Sequence, residues 1–126
     1  MPNRQSGNSG MQYVDRGDVA AYDFAMGDLT IDGNWYDLDL SSIIPANVAL
    51  VLLYVDCQEN SGYKYYQLRT KGYLNGINIE YRRSIAANKN EFQTLLLVPD
   101  SNRFIEYMIE SATWSLFNIV IRGWFV

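Results

Sequence analysis

The sequence predicts an all-β fold, an antiparallel two-sheet β-sandwich, on three observations. Clusters of turn-forming residues punctuate the chain about every ten residues, and the apolar stretches between them are strand-length. The clearest of those stretches alternate with a period of two, the signature of a half-buried strand. With 126 residues, 48% of them hydrophobic and 19% charged, there is material for one core but not for two, and the disordered class is excluded.

Residues 1–12 are rich in Gly, Ser, Asn and Gln without periodicity and read as a flexible arm, leaving a single sandwich domain over 13–126. Strands are expected near 18–25, 29–31, 35–40, 47–57, 62–69, 76–83, 92–98, 103–110 and 113–125. Each is ended by punctuation such as Asp32-Gly33-Asn34, Glu59-Asn60-Ser61-Gly62 or Pro99-Asp100-Ser101-Asn102. In Trp35-Tyr36-Asp37-Leu38-Asp39-Leu40 the two acids share one face and Tyr36, Leu38 and Leu40 the other, so one side is wet. Ser41 or Ser42 can then cap one helical turn that Pro45 ends.

The run Val48 to Val55 is apolar on both pleat faces and must lie either inside the sandwich with both sides covered or against another subunit. In the last strand Phe117, Ile119, Ile121 and Phe125 share a core face, opposite a mixed face of Leu116, Asn118, Val120, Arg122 and Trp124. Together these make more apolar strand surface than one small core absorbs. Leu116, Val120 and Trp124 are therefore candidate residues of an oligomer interface, and a homo-oligomer is expected. The Trp124-Phe125-Val126 ending is expected to be a full ladder member whose deletion is badly tolerated.

Histidine is absent and cysteine occurs once, which removes Ser-His-Asp and Cys-His nucleophilic sites, the usual zinc ligand sets and any internal disulfide. No catalytic residue is assigned, no cofactor is expected, and the reading is non-enzymatic. Cys57, at the end of an apolar run with no basic neighbour, reads as a small buried hydrophobe. A net charge of −4 argues against a nucleic-acid or anionic-membrane partner. The charge is uneven: residues 1–60 hold nine acids and two bases, residues 61–126 five acids and eight bases. Those charges either decorate solvent faces or meet between subunits. No apolar run reaches the length of a membrane span and the first residues lack the apolar stretch of a signal peptide, so the expected compartment of synthesis is a cytoplasm.

Four patterns are weighed for chemistry. Asp28, Asp32 and Asn34 surround Gly33 and could offer oxygens to calcium, but their spacing departs from a calcium loop, and a plain Asp-Gly-Asn hairpin turn is the better account. Arg16-Gly17-Asp18 spells an integrin-binding tripeptide, but such tripeptides recur by chance and a turn leading into a strand at Val19 is the better account. Tyr63, Tyr65, Tyr66 and Tyr73 fall close together among Lys64, Arg69 and Lys71, a composition that can stack on sugar rings, or else supply ordinary strand residues with wet hydroxyls. The pairs Asp37 with Asp39 and Glu106 with Glu110 could act as acid and base on a glycoside, but no apolar pocket is evident in sequence to raise one pKa.

Trp35-Tyr36-Asp37-Leu38-Asp39-Leu40-Ser41-Ser42-Ile43-Ile44-Pro45-Ala46, followed by Ala49-Leu50-Val51-Leu52-Leu53, resembles a segment of small β-sandwich proteins from phage and prophage gene neighbourhoods. The resemblance continues through Leu97-Val98-Pro99-Asp100, Arg103-Phe104-Ile105-Glu106-Tyr107 and Ile119-Val120-Ile121-Arg122-Gly123-Trp124 and covers roughly residues 30–126. It implies a jelly-roll-like sandwich in a virion or tail, often trimeric and joined to other virion proteins, made in the host cytoplasm and located in the virion. The matching residues are scaffold residues, so no site is carried over. The alternative reading is a receptor- or host-surface glycan-binding module that uses the tyrosines.

Overall fold

The computed structural model describes residues 10–126. Eight strands build it: β1 (Tyr13–Asp15), β2 (Trp35–Asp39), β3 (Leu50–Glu59), β4 (Tyr65–Thr70), β5 (Glu80–Arg83), β6 (Glu91–Leu97), β7 (Phe104–Ile109) and β8 (Trp114–Phe125). They form two four-stranded antiparallel sheets in the orders β1-β8-β3-β6 and β2-β7-β4-β5. Every connection except the β4–β5 hairpin passes from one sheet to the other, which is the jelly-roll arrangement.

The inner faces follow from alternation. Val51, Leu53, Val55 and Cys57 of β3, Leu95 and Leu97 of β6, and Phe117, Ile119 and Ile121 of β8 face Leu38, Tyr66, Leu68, Ile105, Tyr107 and Ile109 of the second sheet, all buried. At one end Phe117 makes edge-on contacts with Tyr66 and Trp114, at centroid distances of 5.1 and 5.3 Å. Cys57 is a buried core residue whose thiol is pushed up to about 12 by burial and then by Glu91 and Asp56 nearby. It behaves as the hydrophobe the sequence suggested.

Three expectations are corrected. The stretch 18–25 is not a strand; it makes a single bridge, Phe24 to Ile119. Side chains take over the ladder bonds there, since Asp23 accepts the Ile121 amide at 2.8 Å and Arg16, paired with Asp23, donates to the Ile121 carbonyl at 3.1 Å. Residues 29–31 and 76–79 are likewise irregular, occupied by loops and by single 3-10 turns at Met26–Asp28 and Gly76–Asn78, so Asp32-Gly33-Asn34 is a turn that joins no hairpin. In the last strand a bulge between the pairs Leu52–Gly123 and Leu53–Ile121 inserts Arg122 and reverses the phase beyond it. Trp124 therefore pairs with the inward residue Val51 and packs on the core, while Phe125 turns outward against the Tyr13 ring at 5.1 Å.

The expected 1–12 arm lies largely outside the described residues, but Gln12 is already tied to Val126 by two backbone bonds of 3.0 Å. At Ser41–Ile44 a single turn does form, closed by the Ile44 amide on the Leu40 carbonyl. Its side-chain cap is Asp39, which accepts the Ser41 amide, and Arg103 bonds the Ser41 and Ile44 carbonyls.

Candidate functional site

Each sheet leaves one outer face, and the two differ in chemistry. On the second sheet, Trp35, Asp37, Glu106, Met108, Tyr65, Gln67, Arg69, Tyr81 and Arg83 point away from the core by strand alternation and register. Arg69 lies over the Trp35 ring at 3.8 Å and pairs with Glu106 at 2.7 Å, and Lys71 pairs with Asp37 at 2.6 Å. Beside them Tyr65 stacks on Tyr81 at 5.3 Å with rings 20° apart, and Arg83 donates to the Tyr81 hydroxyl at 2.7 Å.

The structure separates the four tyrosines singled out in sequence. Tyr65 sits on this outer face. Tyr66 points the other way into the core, its hydroxyl bonded to Gln93 and its pKa raised chiefly by burial, so it is withdrawn as a ligand residue. Tyr63 and Tyr73 flank opposite ends of β4, whose six residues span roughly 20 Å, and do not form one cluster with it. Tyr81 is the platform residue that sequence reading missed, because its place beside Tyr65 depends on the register of the β4–β5 hairpin. Tyr63 is held by neighbours of a different kind. Glu59, 1% exposed, accepts the Ser61 amide and hydroxyl and the Gly62 amide, which fixes the crossing loop; Tyr63 follows with φ at +60° and stands 67% exposed. Burial of Glu59 works against its charge, but the hydrogen bonds from Ser61 and Gly62 win and hold the carboxyl below its ordinary value.

The outer face of the first sheet is divided. Over β8, residues 17–25 form a roof that buries Val120 and encloses a surface cavity of about 330 Å³ walled by Val19, Tyr22, Tyr54 and Arg122. The Tyr22 hydroxyl donates to buried Asp56 at 2.8 Å; burial of that end and the adjoining carboxylate push its pKa up to about 12. The roof reaches across to Tyr54 and Asp56 of β3; over the rest of β3 and over β6 no described residue forms a second layer. Leu52 and Tyr54 are half-buried, and Phe92, Leu96 and Val98 are exposed, with Phe92 stacked on Tyr54 at 5.7 Å. This apolar strip is where the doubly apolar β3 run surfaces. The three expected interface residues are not brought together: Leu116 is half-buried on the outer face, Val120 lies under the roof and Trp124 is turned inward. A second apolar feature, the β4–β5 loop, carries Leu74 and Ile77 at 77% and 94% exposure.

Asp28 and Asp32 spend their carboxylates locally. Asp28 accepts the Ala25 amide, and Asp32 accepts the Asn34 amide and the Tyr36 hydroxyl, the latter drawing its pKa below the ordinary value. Among the described residues no group of three or more acids, cysteines or histidines is placed to hold a metal ion, and no helix is long and apolar enough to cross a membrane. Arg16 of the Arg-Gly-Asp tripeptide is engaged with Asp23. No family model matches the chain, and no curated protein matches it.

Proposed function

We propose that this chain is a non-enzymatic structural component of a phage virion or tail, assembling with copies of itself through the unroofed outer face of its first sheet. The observation that carries the reading is the contiguous strip of Leu52, Tyr54, Phe92, Leu96 and Val98. Exposed apolar surface of this kind marks interaction sites, and identical patches are ordinarily hidden by closed rotational symmetry. The jelly-roll topology supports it too, being a recurrent architecture of capsid proteins, although a fold by itself leaves function open. Light scattering on the purified chain tests the assembly: a homo-oligomer is expected at micromolar concentration, and a persistent 14.5 kDa monomer overturns it. The virion assignment is tested by gradient sedimentation of particles from a host carrying the gene, with which the chain should co-migrate.

One observation favours a second reading, a glycan-binding module. The Tyr65–Tyr81 stack with its flanking Arg83 offers a flat aromatic platform beside hydrogen-bonding groups. A glycan array on the wild type and on Tyr81→Ala discriminates the two.

A further inference from the structure

A jelly roll of this kind has four edge strands, and three of them are protected against further pairing. β1 is three residues long, β2 presents Asp37 and Asp39, and three of the four residues of β5 are charged. Shortness and charge are the devices that stop an edge from recruiting another strand. β6 has neither. It is seven residues, Glu91-Phe92-Gln93-Thr94-Leu95-Leu96-Leu97, with no proline, no bulge in its pairing to β3 and its one charge at the first position. Its outward side chains Phe92 and Leu96 are 55% and 49% exposed.

We infer that β6 joins two copies of this chain, antiparallel across a two-fold axis at Thr94, so that their first sheets continue into one eight-stranded sheet. The inference rests on the self-assembly reading and adds an edge contact to it, which merges the apolar outer faces of two copies into one larger face without covering it. In this register Thr94 meets Thr94 of the second copy, and Phe92 meets Leu96 of the second copy twice, on the face that already holds Tyr54 and Leu52. Cross-strand Thr–Thr and aromatic–aliphatic pairs are favourable. Charge selects the same arrangement. Antiparallel order sends the two Glu91 carboxylates to opposite ends of the ladder, where a parallel pair would set them side by side. Continued past the strand ends, the register sets Lys89 of each copy opposite Pro99 of the other and brings no further like charges together. A strand that is its own complement is what an isologous contact requires. The contact is two-fold, unlike the three-fold symmetry that the phage resemblance implies.

The test is a register-specific crosslink. Thr94→Cys is introduced into the chain, whose only native cysteine, Cys57, is buried and inert. Mild oxidation is expected to give a covalent dimer at twice the 14.5 kDa chain mass, whereas Tyr81→Cys on the edge strand β5 gives none. Leu96→Lys is expected to raise the dimer dissociation constant at least tenfold, with circular dichroism and melting unchanged. A Thr94→Cys chain that stays uncrosslinked while remaining oligomeric overturns the edge pairing and leaves self-assembly through the apolar face in place, whereas an oligomer that survives Leu96→Lys overturns both contacts. A wild-type monomer at high micromolar concentration overturns both, and the edge then belongs to an extended segment of a different protein.

Discussion

On the outer face of the second sheet the long charged side chains meet partners from their own chain: Arg69 with Trp35 and Glu106, Lys71 with Asp37, and Arg83 with Tyr81. On the outer face of the first sheet the described residues 17–25 cover β8 and reach Tyr54 and Asp56 of β3, while towards β6 the described chain ends in apolar side chains. A polar face can close its interactions within one sheet, because each cation finds a carboxylate or ring on a neighbouring strand. An apolar face cannot, since what it lacks is a second layer. Among the described residues that layer is supplied over β8 and not over β6.

The largest expected effect breaks the self-contained face. Arg69 and Glu106 have side chains only 10% and 16% exposed, so Arg69→Ala strands a nearly buried carboxylate and uncovers Trp35. A loss of about 3 kcal/mol in urea unfolding is expected, with the oligomeric state unchanged. If the variant dissociated while keeping its stability, the assembling face would be the second sheet and the comparison would be reversed.

A smaller effect tests the junction between the faces. Glu59 ends β3 and anchors the loop that enters β4, and Glu59→Gln removes the charge from its bonds to Ser61 and Gly62, for an expected loss of about 2 kcal/mol at neutral pH. Because the folded carboxyl is held below its ordinary value of 4.5, its contribution is fully present above that value and is lost as pH falls through the lowered one. The melting temperature of the wild type should drop in that acid window, and the glutamine variant should show a shallower acid limb. Equal acid limbs would mean that Glu59 is not the group responsible.

Much of this architecture was legible in the sequence, and where it was not the reasons are local. The alternation in Trp35 to Leu40 put Leu38 and Leu40 in the core correctly, and the apolar β3 run pointed to a surface needing cover. The phase of β8 was readable only as far as Ile121, because a bulge is a property of two strands in register and Arg122 looks like any alternating residue. That single inserted residue moved Trp124 from the outer face to the core. The roof over β8 was hidden for a related reason: residues 18–25 have strand-like composition, but the Asp23 carboxylate and the Arg16 guanidinium replace backbone partners in the ladder. Tyr63 and Tyr66 are three residues apart, yet the turn at Gly62 and the onset of β4 send them to solvent and to the core.

Tyr63 also carries the smallest expected effect and the one that most sharpens the contrast between faces. Its φ of +60° lies in the left-handed region, which costs a side chain with a Cβ about 1–2 kcal/mol and costs glycine almost nothing. The ring is 67% exposed, so little packing offsets that strain. Replacement by glycine removes the strain but adds roughly 0.5–1 kcal/mol of backbone entropy to the unfolded chain. Tyr63→Gly is therefore expected to stabilise the protein by about 0.5–1 kcal/mol, measured by thermal and urea unfolding. A strained residue that contributes no stability is the pattern expected of one kept for contact with something else. If the variant is more stable and loses a glycan signal that the wild type shows, the loop at Tyr63 is a binding surface alongside the assembling one. If it is instead less stable by more than 1 kcal/mol, the Tyr63 ring is packing against its own chain, and the second sheet's outer face is as self-contained at its rim as it is at Arg69.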